Sequence, residues 1–148
     1  MLHVLENRRL EAASLSGLCL RCADLSRKVL TRAKFSGTDL EGASFVRSEL
    51  SNADFTGANL IRADFSAAAL VGANLSGADL ASANLRNAGL FQANLTGANL
   101  EGARLPGADL VGANLTDAEL SDALYDPLTR WPEGFDPGAR GAILLSES

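Results

Sequence analysis

Few residues in this chain have chemical reach. Cys19-Leu20-Arg21-Cys22 has the CxxC spacing that elsewhere holds a metal ion or a redox couple. A zinc site needs two more ligands, and none stands near the pair in sequence. A redox site would want a helix N-terminus, which is not expected around the motif. Cys19 and Cys22 are therefore expected to be incidental thiols. The only histidine is His3, at the start of the chain. Asp39 and Asp79, with Asn59 between them, form a spaced carboxylate column. General acid-base work needs such groups to converge in a pocket with separated affinities for protons, and a solvated wall is the simpler reading. With neither a nucleophile beside a base nor a phosphate loop, the expectation is a protein that is not an enzyme and holds no cofactor or metal.

The elements that must position these residues follow from composition. The 148 residues are 47% hydrophobic but only 5% aromatic, so the core is built from many small pieces. The net charge of −5 is uneven. Residues 1–65 carry nine Lys/Arg against eight Asp/Glu, and residues 66–148 carry four against ten. An acidic chain is a poor direct binder of nucleic acid, which needs a basic surface. No stretch approaches the roughly 20 apolar residues of a membrane span. The first nine residues are too short and charged for a secretion signal, which makes the cytoplasm the expected compartment.

Every fifth residue from Leu10 to Leu120 is Leu or Phe, 23 positions without exception. A second column from Ala13 to Ala123 is Ala at 19 of 23 positions, the exceptions being Leu18, Lys28, Thr38 and Ser48. A helix turns about 100° per residue and would spread the Leu column around its cylinder. A flat strand would send alternate Leu residues to opposite faces. The spacing of two between Ala and Leu points both inward along a short extended segment, so each pentad must then turn a corner. The position two after each Leu is the corner. It holds Gly in ten of 23 repeats, and Asn52, Asn87, Asp117 and Asp122 also suit a turn.

A longer period sets the coil. The column Ser16, Ser36, Thr56, Ser76, Thr96, Thr116 is purely Ser or Thr, whereas its three counterparts are mixed. A 20-residue superperiod means four pentads per coil and a square cross-section. The 23 pentads then make about six coils at the roughly 4.8 Å strand spacing. Phe35 and Phe55 should stack on one wall and Phe45 and Phe65 on the opposite one, with Leu75 and Leu95 continuing the core. Larger residues in the Ala column accompany Leu rather than Phe, as volume balancing in a close-packed interior requires. Lys28 is expected to bend outward near the first coil.

The motif A(D/N)LXX, as in Ala53-Asp54-Phe55-Thr56-Gly57 and Ala73-Asn74-Leu75-Ser76-Gly77, resembles the pentapeptide-repeat family over residues 8–123. The resemblance implies an all-β, right-handed quadrilateral parallel β-helix, the handedness coming from the family alone. It divides the chain into an N-terminal cap at 1–7, with Leu5 as a degenerate first repeat, the β-helix at 8–123 and a C-terminal cap or tail at 124–148.

A solenoid must close its open edges. The phase slips after Tyr125, and the only Trp and Tyr and three of four Pro follow within residues 125–137. Tyr125, Trp131 and Phe135 are expected to form a lid over the last coil; docking to a partner or dimerisation is the competing role for this tail.

One wall departs from the repeat on its outside, where Val71, Phe91 and Val111 should form a vertical apolar stripe. The expected function is a protein-interaction or scaffold rod with an unidentified protein partner. A homo-oligomer through the stripe or the tail is a further expectation. The family resemblance implies an alternative, since some members that protect against quinolones resemble duplex DNA and bind type II topoisomerases such as gyrase. Dense acidic rails would favour that alternative. This chain instead places Asn at many outward positions and basic residues in its first half, and its register from Leu10 to Leu120 is uninterrupted.

Overall fold

The computed structural model describes residues 5–146. His3 and the first four residues of the expected N-terminal cap lie outside them. Every parallel bridge from Arg9↔Val29 to Arg104↔Leu124 joins residues twenty apart. These bridges form four ladders, which define four walls. The first runs from Arg9 through Val29 and Gly89 to Asp109, the second from Ser14 to Asn114, the third from Cys19 to Glu119, and the fourth from Asp24 to Leu124. Each wall contributes one pentapeptide to each coil.

The bridging residue is the one between inward Ala and inward Leu. Its N–H bonds to the coil below and the Leu N–H to the coil above, as in Asn74 to Ala53 at 2.9 Å and Leu75 to Asn94 at 2.7 Å. At each corner the Ala N–H closes on the preceding Leu carbonyl, as in Ala73 to Leu70 at 3.0 Å. All 23 corner residues from Ala12 to Asp122 have φ between 54° and 71°. Ten are Gly; the other 13 include Arg27, Arg32, Arg47 and Arg62, which carry backbone strain of about 1–2 kcal/mol each.

The interior is built on a buried apolar column. Every Leu and Phe of the column from Leu25 to Leu110 has no exposed surface. Full burial of one such side chain stabilises by roughly 1.5–3 kcal/mol. Phe35 stacks on Phe55 and Phe45 on Phe65, both at 4.8 Å and within 4° of parallel, while neighbouring rings across the coil meet edge to face near 5.6 Å. Leu75 and Leu95 continue the side of the stack that Phe35 and Phe55 begin, each with no exposed surface. The polar exceptions in the Ala column satisfy themselves. Thr38 donates its hydroxyl to the Leu15 carbonyl at 2.8 Å, and Ser48 to the Phe45 carbonyl at 2.6 Å. Lys28 is half-buried, and its amine reaches the Asn7 carbonyl at 3.1 Å, so it turns toward the first-coil backbone rather than simply outward.

At the C-terminal end, the ladders continue unequally. β1 (Leu124–Tyr125) pairs in parallel with β2 (Ile143–Leu144) on the fourth wall. On the first wall Asp109 bridges Arg130, a step of 21 rather than 20. The extra residue is absorbed around Asp126, whose carboxylate accepts the N–H groups of Gly107, Leu128 and Thr129. Thr129 then occupies the inward position and donates its hydroxyl to the Leu105 carbonyl at 2.9 Å, as Thr38 does near the other end.

Candidate interaction face

The outward Asp and Asn residues of the motif are structural first. Asn74 Oδ1 accepts the Ser76 N–H at 3.0 Å and its hydroxyl at 2.7 Å, and Asp54, Asp64, Asn94 and Asn114 repeat the pattern with the residue two ahead. The side chain thus holds the first corner N–H, which the coil leaves unpaired. The same donors act on charge: the hydroxyl and N–H of Ser26 hold the Asp24 carboxyl below its usual range, and Ser121 does so for Glu119.

The third wall carries the carboxylate column. Asn59 Nδ2 donates to Asp39 Oδ1 at 3.1 Å, and Asn99 Nδ2 to Asp79 Oδ1 at 3.1 Å, so amides alternate with acids. Cys19 and Cys22 are exposed free thiols at the foot of this wall. Cys22 is itself a left-handed corner residue, with its sulfur lying over Gly42. Arg21 beside them pairs with Glu41 at 2.8 Å and Asp39 at 3.4 Å, and this acidic company raises its affinity for its proton, Glu41 contributing most. No group of three or more metal-ligating side chains occurs among the described residues.

The first wall is different. The side chains after its Leu residues are Thr31, Ser51, Val71, Phe91 and Val111. Val71 and Phe91 are 40% and 39% exposed, and Val111 is half-buried. Their backbones are locked in the ladder: Gly72 N–H bonds to the Phe91 carbonyl and Gln92 N–H to the Val111 carbonyl, both at 3.0 Å. Beside the stripe the bridging residues are Ala69 and Gly89, so the wall is flat and uncharged over the middle coils. Charge returns at both margins, with Arg47 and Glu49 below and the Asp109–Arg130 pair at 3.2 Å above. Glu49 and Arg47 have no ion pair among the described residues.

At the C-terminal end Tyr125, Trp131 and Phe135 are partly buried and pack against the core. Trp131 meets Tyr125 edge to face at 5.4 Å and stacks on Phe135 at 5.2 Å, and Arg140 lies over the Phe135 ring. Arg140 also donates to the Ala118 carbonyl at 2.6 Å, filling an acceptor that the coil leaves open there. Arg140 had no signature in the repeat, because its partner is a backbone atom. A cleft of about 420 Å³ remains between Leu115 and Phe135, with Asn114, Thr116, Glu133 and Arg140 among its lining residues.

Comparison with known proteins agrees with this geometry. The family model for pentapeptide repeats matches in eight copies over residues 9–47, 48–87, 58–97 and 93–123. The chain is similar to the crystal structure of alr5209, a pentapeptide repeat protein from Nostoc Pcc 7120. The two are 41% identical with a TM-score of 0.68, and the match covers 69% of this chain and 84% of that one. It is also similar to HetL, a pentapeptide repeat protein involved in heterocyst differentiation regulation in Nostoc sp. strain PCC 7120. There the identity is 26%, the coverage 91% and 84%, and the TM-score 0.53. QnrB1, a plasmid-mediated fluoroquinolone resistance protein, matches at 22% identity over 88% of this chain and 76% of that one, with a TM-score of 0.49. No curated protein sequence matches. The chain belongs to the pentapeptide repeat family.

Proposed function

We propose that this protein is a non-enzymatic rod, a right-handed quadrilateral β-helix of about six coils, whose first wall binds a protein partner. The observation that carries this reading is the uncharged column of exposed Val71 and Phe91 and half-buried Val111 beside Ala69 and Gly89. Three large apolar side chains in register on a backbone that cannot rearrange form a preorganised contact patch, which saves the ordering cost of binding. On the other walls Asp54, Asp64, Asn74, Asn94 and Asn114 are engaged with their own corners, which leaves those side chains little to offer a partner. The cytoplasm is the compartment in which we place this interaction.

Mimicry of DNA toward a topoisomerase would call for continuous acidic rails. The third wall alternates acid with amide instead, and Asn59 and Asn99 spend a donor on the acid beneath. A photoreactive amino acid placed at position 91, and separately at position 81 on the third wall, tests the reading in cells. Crosslinks to protein at 91 and none at 81 are expected. Equal labelling at both positions would remove the first wall as the binding face.

A further inference from the structure

About the level of Phe91 the first wall is partly alike in both directions along the rod. Above and below Phe91 lie Val111 and Val71, each one coil away. In the bridging column Gly89 is central, and the residues two coils off are Glu49 on one side and Arg130 on the other. Reversing the rod about the level of Phe91 therefore exchanges valine with valine and Glu49 with Arg130, and it sets Ala69 against Asp109, which pairs with Arg130 of its own chain at 3.2 Å.

We infer that the occupant of this wall is a second copy of the same chain, docked antiparallel about a twofold axis through Phe91; this rests on the reading of the first wall as the binding face. A twofold perpendicular to the rod axis and lying in the contact plane keeps each column opposite itself and inverts its levels. Phe91 meets the partner's Phe91, Val71 meets the partner's Val111, and Glu49 faces the partner's Arg130 at both ends. Gly89, lacking a Cβ, leaves room beside the two rings, which can pair edge to face or offset. Isologous contacts of this kind are the commonest route to a dimer, and they need a patch complementary to itself. A parallel arrangement would instead set Glu49 opposite Glu49 and Arg130 opposite Arg130. The charges thus favour the antiparallel pair.

Sedimentation of the full chain over a concentration series reaching high micromolar tests the inference. The wild type should move from monomer to dimer, and Phe91→Glu should weaken association by about tenfold or more. Glu49→Arg alone sets Arg against Arg at both ends, and Arg130→Glu alone sets Glu against Glu, so each should weaken association. An equimolar mixture of the two variants restores both contacts in the heterodimer and should associate like the wild type. Urea melts of each variant establish that it is folded. A wild type that stays monomeric, a Phe91→Glu variant that dimerises unchanged, or a mixture no better than its parts would overturn the pairing. The first-wall reading itself fails on a different result, equal crosslinking from positions 91 and 81.

Discussion

Asn59 Nδ2 donates to Asp39 Oδ1 at 3.1 Å across one coil, and Asn99 repeats the contact with Asp79. The alternation of amide and acid lets Asp39 and Asp79 meet an amide donor from the next coil rather than a second carboxylate. Asn59→Asp would set three carboxylates in a column. We expect a loss of about 0.5–1 kcal/mol, the range for like charges opposed across paired strands, measured by urea melts at low salt and reduced by added salt.

The corner residues carry a second prediction. Gly57 has φ of 63° with open space where a Cβ would stand, so in Gly57→Ala the backbone strain is offset only by the stiffer unfolded chain, and the net cost should be about 0.5–1 kcal/mol. Ser82 holds φ of 57° at an equivalent corner. Ser82→Gly relieves the strain but loosens the unfolded chain, leaving a net gain of about 0.5–1 kcal/mol. Opposite signs for the two variants in the same melt are the expected pattern.

The hydroxyl of Thr38 is buried against the Leu15 carbonyl. Thr38→Val keeps the shape and leaves that carbonyl with the 3.4 Å Leu18 N–H as its remaining bond. A cost of about 1–2 kcal/mol follows. Thr38→Ala should cost less than a cavity of that size predicts, since Ala is the residue that this column holds at 19 of 23 positions.

Acid should loosen the C-terminal cap first. Burial pushes the Asp126 carboxyl up, but hydrogen bonds from Gly107, Thr129 and Leu128 outweigh it and leave the group below its usual range. A carboxyl depressed on folding adds stability that is present above its unfolded value, about 3.9, and is lost as pH falls through its folded value. Trp131, the only tryptophan, sits beside this segment and reports its release. Its fluorescence should change at acid pH before the far-ultraviolet signal of the coil does. Asp126→Asn should flatten that early change.

Core truncation is the plainest test of the coil. Leu75 is fully buried in the middle of the rod. Leu75→Ala should cost roughly 2–5 kcal/mol, and a cost near zero in urea would place it outside.

Much of this architecture was legible from Leu and Ala alone, because a strict spacing of five leaves inward and corner positions no freedom. The 20-residue period was legible from the Ser/Thr column at 16 to 116, where four of the six hydroxyls, those of Thr56, Ser76, Thr96 and Thr116, bond to Asp54, Asn74, Asn94 and Asn114. From sequence the same Asp and Asn positions read only as outward-pointing residues. Their engagement depends on the corner N–H, which no pattern of residue types displays. Arg27, Arg32, Arg47 and Arg62 at left-handed corners were not legible either. Arg has no preference for that conformation, and the ladder above and below imposes it. Asp126 and Arg140 act on backbone atoms after the repeat has ended, where periodicity carries no information.

The wall that departs from the repeat is the centre of this account, and Phe91 is its test. Phe91 is a surface residue, so Phe91→Ser should leave the urea midpoint nearly unchanged, within about 0.5 kcal/mol. Immobilised wild-type and Phe91→Ser proteins can be compared for the proteins they retain, a second copy included. The account expects retention by the wild type that the variant loses. Retention of the same proteins in the same yield by both would contradict it.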